Sequence, residues 1–574
     1  MKGLPKVTPD LSRWSSVTNL VQYIRKAAEL HGDRTLFRYK DESGWKDLSY
    51  ERFLEVVRLT ARGLTSIGFK PGDRAAIYSE NSPEWCIAYF AVLMAGGQAV
   101  PVDVKLNKAE VLYILEDSET SLLLSSVSAY DSTFEEPLHG LDRLNDLVLW
   151  GEDVKPQAQA NTSPAVHSFR ALQRDGSDKI DDDGLPGPTL SPETIASIIY
   201  TSGTTGDPKG VMLSHRNFIT NALQPLRSLY VGPEDSLFLV LPLHHAFSFT
   251  VCFLLPMVPG VSICFMESLK KLKENLVELR PTILVGVPAL FQKLYDVVAK
   301  RIFGSSLKKG LWTLGGKKII GNAVRRQLGG GLRLFICGAA AANPEVVKFF
   351  NDLGIVLLQG YGLTEASPVV SLNLESHRYP ESIGKPLPGI VMAIANPGPD
   401  GVGEITASGE NVMLGYFNRE EETGNVLKDG VLYTGDLGYE EDGRYYITGR
   451  QKNLIVTSAG KNISPEEIEP LIDSSPYVAQ VMVLGIHRPS KGEVVGAIVV
   501  PDMENLMADF GAGKTLSQEE IEQILTRQVR DRTSSLADYK RPTAVRVSFE
   551  SLEMTSTLKI KRYRYDPRKL FRED

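Results

Sequence analysis

Apolar positions along this chain follow two rhythms. Some recur every three or four residues, as on the buried face of a helix. Others sit in short unbroken runs of the kind that parallel strands carry. Residues 20–30 and 49–67 have the helical spacing, and Glu51 places negative charge near the start of the second. Residues 35–39 read as a strand before a hairpin around 41–44. Residues 71–82 read as turn, strand, turn; a helix over 83–95 and a strand over 98–101 follow. This βαβ alternation predicts a largely parallel sheet covered by helices. A polar stretch rich in Pro, Gly, Ser and Asp, residues 128–193, interrupts it and reads as an elaborated connection with short apolar islands such as 147–150. The rhythm resumes with a strand at 195–200, a helix near 216–228, and strands at 236–241, 283–286, 332–337 and 355–359.

Beyond Ile383 the pattern changes to short β-type runs with Gly and Asn turns over 391–448. A compact unit then follows, with strands at 478–487 and 493–500, a helix at 517–531 and a strand at 544–549. The expected fold class is α/β. A large N-terminal domain, 1–450, holds parallel-rich sheets layered with helices plus a β-subdomain, and a small α+β C-terminal domain spans 451–574. The apolar, uncharged stretch 248–266 is broken by Pro256, Pro259 and Gly260. It reads as a buried helix, a turn and a strand, because a lone spanning helix could not replace the lost hydrogen bonds in lipid.

Composition narrows the partners. With 574 residues, 43% of them hydrophobic, the chain is too long for one compact core. Its formal net charge is -7 and it has no basic arm, so a nucleic-acid partner is disfavoured. Local donors can still bind ATP or CoA. Cys86, Cys252, Cys264 and Cys337 form no CxxC pair and no zinc spacing, and read as buried thiols of a reducing compartment. The opening MKGLPKVTPDLSRW lacks an apolar signal core, so a cytoplasmic location is expected, at most peripheral to a membrane.

The strongest local signal is YTSGTTGDPKG after the apolar run IASIIY. Gly203 and Gly206 allow backbone N–H groups to approach a polyphosphate, and the hydroxyls of Thr201, Ser202, Thr204 and Thr205 add neutral donors. Lys209 brings a mobile positive charge for the outer phosphates. No GxxxxGK[ST] frame fits, so this is not a Walker A loop.

The segment closely resembles the phosphate loop of the acyl-adenylate-forming superfamily, and so do QGYGLTEASP (359–368), YTGDLG (433–438), GRQKNLIVTSAGKNISPEEIE (449–469) and TSTLKIKR (555–562). The likeness covers about 17–562 and is closest to the long-chain fatty-acid–CoA ligases. It implies a role for each matched residue. Tyr361 would stack on adenine, within the run Gln359, Gly360, Tyr361, Gly362, and Gly338 and Ala339 would line the base. Thr364 would contact the α-phosphate and Glu365 would hold Mg²⁺. Asp436 and Arg450 would grip the ribose hydroxyls. Lys559 would be the adenylation lysine, Lys452 the hinge of a mobile C-terminal domain, and Gly460 part of the loop facing the thiol channel. His245, in LPLHHAFSFT, would sit beside the carboxylate or its gate. Each also has a plain structural reading: Glu365 a first-turn acid, Asp436 a turn residue, Tyr361 a core aromatic, His245 a core histidine, Lys452 and Lys559 solvated surface lysines.

The implied reaction is adenylation of a carboxylic acid by ATP with Mg²⁺, then transfer of the acyl group to coenzyme A. An amino-acid substrate is disfavoured, because only Ala246, Phe247 and Ser248 stand where its ammonium would need a counter-charge. PTILVGVPALFQKLYDVV (281–298) and Leu558 before Lys559 resemble the long-chain branch. Medium-chain or aromatic acids, and a carrier protein in place of CoA, remain as alternatives. A luciferase-like oxidase and a non-catalytic nucleotide sensor are more distant rivals.

Overall fold

The computed structural model describes residues 9–134, 138, 140–151, 154, 164–177, 185, 187–201, 208–304, 306–458, 461–488, 492–511, 515–555 and 559–571. The chain divides into two compact units. One is built from 1–202, 207–391 and 407–432, the other from 392–406 and 433–574.

The first unit contains two large sheets. One runs in the order Lys385–Pro386, Val369–Asn373, Val356–Gly362, Leu334–Cys337, Ile283–Gly286, Ser236–Leu239, Ser262–Phe265, Thr35–Asp41, Gly44–Ser49. Its middle is parallel and its two ends are antiparallel. The other runs Gly415–Tyr416, Lys209–Ser214, Ile195–Thr201, Gln98–Val102, Arg74–Tyr78, Leu122–Ser126, Asp146–Trp150, Ala165–Ser168. The expected parallel, helix-covered sheets are therefore present.

Helix boundaries follow capping chemistry. Asn19, Ser49 and Ser82 each accept a hydrogen bond from the backbone N–H of the third residue of the helices Leu20–His31, Tyr50–Ser66 and Pro83–Met94. The last of these is buried along its length, apart from Glu84. Its Trp85 and Tyr89 rings join Phe249 in one aromatic cluster, with Tyr89 and Phe249 centroids 4.3 Å apart. The apolar stretch from 248 is a π-helical turn, Ser248–Leu254, followed by a short helix and the strand Ser262–Phe265. Among the described residues, no helix is long and apolar enough to cross a membrane. All four cysteines are buried free thiols.

Within the polar stretch 128–193, the described residues form more regular elements than its composition suggests. Asp146–Trp150 and Ala165–Ser168 extend the second sheet in parallel, and the helix Phe169–Ser177 follows. A strand that the sequence did not mark lies beside the glycine-rich loop. Lys209–Ser214 pairs antiparallel to Ile195–Thr201, and the helix expected near 216–228 begins at His215.

The strands Val391–Ala395, Gly403–Ser408, Val431–Glu441 and Arg444–Arg450, with most of their residues in the second unit, belong to one sheet. Further along, Val478–Arg488 pairs antiparallel with Gly492–Pro501, which pairs parallel with Ala544–Val547. The helices Pro465–Asp473 and Gln518–Arg532 supply Ile468, Ile472, Ile521, Leu525 and Val529 to a core shared with Val483, Val495 and Val499.

Candidate functional site

The base of the glycine-rich loop is a hairpin. Thr201 ends one strand and faces Lys209 at the start of the next. Ser202, Gly203, Thr204, Thr205 and Gly206 lie outside the described residues. The hairpin base is clamped on both sides. Tyr200 Oη donates to Asp117 (2.7 Å), Arg419 donates to the other oxygen of the same carboxylate (2.8 Å), and Tyr113 Oη donates to Pro208 O (3.3 Å). The charge of Asp117 raises the pKa of both Tyr200 and Arg419, with burial the larger cause for the tyrosine.

Lys209 Nζ lies 3.9 Å from Glu422 Oε1 and 5.4 Å from the centre of the Tyr416 ring. Tyr416 Oη in turn donates to Glu365 Oε1 at 2.9 Å. Tyr416 therefore bridges two motifs that are 156 positions apart in sequence, joining the loop lysine to the candidate Mg²⁺ ligand.

Thr364 and Glu365 stand half-buried on a short 3₁₀ turn, Thr364–Ala366, that closes with Ser367 at a φ of 69°. Four buried side chains anchor this turn and the start of the strand after it. Asn221 donates to Val369 O (2.6 Å) and accepts from Val369 N (2.9 Å). Thr250 Oγ1 donates to Ser367 O at 2.9 Å, Asn411 Nδ2 donates to Ala366 O at 2.8 Å, and Ser367 Oγ donates to Asn411 O at 2.8 Å. Buried polar atoms need such partners, and here they fix where two candidate catalytic side chains emerge. Gly362 is required for closure, because a Cβ there would run into the carbonyl oxygen of Pro368.

The strand Val356–Gly362 carries Gln359, Gly360 and Tyr361. Tyr361 is buried and lies opposite Ser371 in the adjoining strand. Gln359 is also buried, and its Oε1 accepts from Ala342 N at 3.2 Å. That bond ties it to the turn after Leu334–Cys337, where Gly338 and Ala339 lie. Ala339 takes a φ of 72°, and Gly338 N donates to Gly286 O at 3.2 Å. A Cβ on Gly338 would lie 2.7 Å from Cζ of Phe247. The segments 241–250, 338–339 and 361–368 are thus in contact.

Within 241–250, His245 is half-buried and its ring centre is 4.2 Å from that of His244. His244 Nε2 is 3.4 Å from Asp103 Oδ2. The sequence offers no acid near Ala246, but the fold brings Asp103 from the turn after Gln98–Val102. That carboxylate is engaged by His244. The donor atoms of Asp103, His244 and His245 all lie within 4.8 Å of one another.

In the second unit, Asp436 and Arg450 face each other across adjacent strands, with Arg450 Nε 2.8 Å from Asp436 Oδ1. Asp436 N donates to Thr434 Oγ1 at 3.1 Å, and Gly435 N to Glu404 Oε1 at 2.9 Å, which fixes the turn of TGD. Lys452 is exposed on the 3₁₀ turn Gln451–Asn453 directly after Arg450. Gly460 lies outside the described residues. Lys559 is exposed; Thr555 N donates to Lys559 O (2.8 Å) and Lys559 N to Thr555 Oγ1 (3.1 Å). Three residues on, Arg562 pairs with Glu469 and donates to Val483 O at 2.7 Å. Burial pushes the Glu469 carboxyl up to about 7, opposed by the Arg562 guanidinium.

Residues 24–417 match the family model described as AMP-binding enzyme, and residues 467–559 match that of its C-terminal domain. The first match alone spans more than half of the chain. The chain belongs to the AMP-binding enzyme family. This membership carries the activity of an adenylate-forming acyl-CoA ligase. Among its relatives is a long-chain-fatty-acid–CoA ligase of Bacillus subtilis, 29% identical over 552 residues and covering 90% of both chains. Another is the ligase FadD15 of Mycobacterium bovis, 28% identical over 507 residues, 82% of this chain and 80% of that one. In fold, this AMP-binding enzyme resembles the o-succinylbenzoate CoA synthetase of Bacillus subtilis bound to its acyl-adenylate, with a TM-score of 0.72, 23% identity, and 94% and 96% of the two chains covered.

Sequence reasoning missed Tyr416, Glu422, Asn221, Asp117, Arg419 and Asp103. Each acts through a tertiary contact with a residue far away in sequence, and no local spacing marks it.

Proposed function

We propose that the enzyme activates a long-chain fatty acid with ATP and transfers the acyl group to coenzyme A, releasing AMP and pyrophosphate. The observation that carries the choice of acid is the Bacillus subtilis relative of that name, which matches over 90% of both lengths. The buried Leu243 and Ala246 and the engagement of Asp103 by His244 support an uncharged acyl chain over an amine-bearing one.

In the first half-reaction the carboxylate displaces pyrophosphate from the α-phosphorus, and negative charge spreads over the phosphoryl oxygens. Thr364 donates to the α-phosphate, Lys209 meets the outer phosphates, and Lys559 stabilises the charge that develops in the transition state. Glu365 fits a hard cation: it is a half-buried carboxylate beside a hydroxyl, and its present partner is a neutral phenol. Mg²⁺, when bound, neutralises phosphate charge at that carboxylate. Tyr361, Gly338 and Ala339 hold the base, and Asp436 accepts from the ribose hydroxyls while Arg450 orients it. His245 stands by the carboxylate.

In the second half-reaction the residues 451–574 act as a mobile lid, with Lys452 as hinge and Gly460 on the loop that meets the thiol. The test is pyrophosphate release over fatty acids of graded length, with and without coenzyme A. A maximum at long chains, with thioester formed only when coenzyme A is present, is expected. A maximum at aromatic acids would favour the second reading, an aromatic acid–CoA ligase, for which the o-succinylbenzoate enzyme of the same fold is the motive. Thioester formed only on a carrier protein would replace coenzyme A as acceptor.

A further inference from the structure

One region of the first unit shares only 291–298 with the motifs above and has a charge opposite to that of the whole chain. Residues 291–330 contain six lysines and three arginines against one acid, Asp296, in a chain of net charge -7. They lie on the helices Pro288–Phe303, Ser306–Thr313 and Lys317–Gln327 and the turns that join them. Among the described residues, Lys317 is the one of these nine cations in an ion pair, with Asp352 at 2.8 Å.

The inner faces of these helices are well packed. Trp312 stacks on Phe349 with centroids 5.3 Å apart, and Ile320 and Val324 are buried. The outer corner is different. Leu314, in the turn between the last two helices, is 87% exposed, and Ile319 is 64% exposed. Leu311 and Val297 are exposed as well. On the helix Lys317–Gln327 the exposed residues Lys318, Asn322 and Arg326 recur every four positions, opposite the buried Ile320 and Val324. Exposed Lys308 and Lys309 flank the apolar corner on one side and Lys318 on the other.

We propose that this corner docks on the anionic surface of a lipid bilayer. Leu314 and Ile319 enter the boundary between headgroups and acyl chains, and the surrounding lysines and arginines face the lipid phosphates. A nucleic-acid backbone would satisfy the cations but leave Leu314 in water. An apolar protein groove would cover Leu314 but strip water from the lysines beside it. An anionic bilayer accommodates both kinds of side chain at one depth. The apolar and cationic positions are divided between two short helices and a turn, so no single helix reads as an amphipathic anchor. Vesicle binding needs no turnover, so the proposal stands or falls apart from the choice of acid.

The test is co-sedimentation of the full chain with phosphatidylcholine vesicles that contain, or lack, phosphatidylglycerol. Binding to the anionic vesicles only, weakening as salt rises, is expected. Each lysine near such a surface contributes about five-fold in affinity, so K308E/K309E/K318E should bind about a hundred-fold more weakly. L314S/I319S should lose about ten-fold or more. Both variants should keep the circular-dichroism melt of the parent, because all five side chains are exposed and the buried face stays intact. Equal binding to neutral vesicles, undiminished binding by either variant, no vesicle binding at all, or complete displacement from the vesicles by a DNA duplex would each overturn the proposal.

Discussion

Replacing Asn221 with alanine removes two buried hydrogen bonds at a single stroke. Asn221 is fully buried, and its amide holds both the N–H and the C=O of Val369, at 2.9 and 2.6 Å. Val369 is itself 7% exposed, so water cannot readily replace the lost partner. A buried polar group left unsatisfied costs about 1–3 kcal/mol, which puts the loss at about 2–6 kcal/mol for the pair. The cost falls just beyond the turn that presents Thr364 and Glu365, next to its closing bond from Leu363 N to Pro368 O at 3.0 Å. Hydrogen exchange in a peptide spanning 362–373 should accelerate about thirty-fold at the lower end of that range. ATP–pyrophosphate exchange should fall by about a hundred-fold, because a misplacement of about 1 Å costs that much. Asn221→Asp, which keeps the acceptor for Val369 N and loses the donor, should lie between. Unchanged exchange rates together with unchanged activity in the alanine variant would refute the idea that this side chain holds the turn.

Other expectations follow from the same geometry. Lys559→Ala should block adenylation yet leave thioester formation from preformed acyl-adenylate mostly intact; equal loss of both half-reactions would remove the division of labour between lysine and thiol loop. His215 is fully buried and accepts a hydrogen bond from Leu20 N at 3.2 Å, and burial lowers its pKa to about 4. The unfolded chain therefore binds the proton more readily than the folded one between about 4 and 6.5. Stability is full above that window and should fall by about 3 kcal/mol as pH drops through it, read by urea denaturation of the parent against His215→Gln, whose curve should be flatter. Gly338→Ala must push the Phe247 ring, which an added Cβ would approach to 2.7 Å. The expected outcome is a KM for ATP raised about ten-fold with little change in melting temperature; an unaltered KM would show that this wall does not meet the nucleotide.

Periodicity sufficed for the elements that bury one clear face or one apolar run. Tyr50–Ser66 and Pro83–Met94 lie within a residue of their expected limits, as do Ile195–Thr201 and Ile283–Gly286. It failed for Asp146–Trp150 and Ala165–Ser168, two short strands at one end of the second sheet, the latter at its edge, each set in a polar context. Loop chemistry was legible in YTSGTTGDPKG, but not the strand that follows it. The motif residues could be named one by one from sequence. The residues that hold them could not, because Tyr416 reaches Glu365, and Asn221 reaches Val369, only through tertiary packing. The apolar corner at Leu314 was hidden for a related reason: Leu314 lies in a turn between two helices, outside the repeat of either.

The central claim is that a carboxylate attacks the α-phosphorus of ATP. Incubating the enzyme with a fatty acid labelled with ¹⁸O in its carboxyl group, ATP and coenzyme A tests it most directly. The account predicts one ¹⁸O atom in the phosphate of the AMP released and none in the pyrophosphate. Label recovered in orthophosphate beside ADP, or unlabelled AMP, would contradict it.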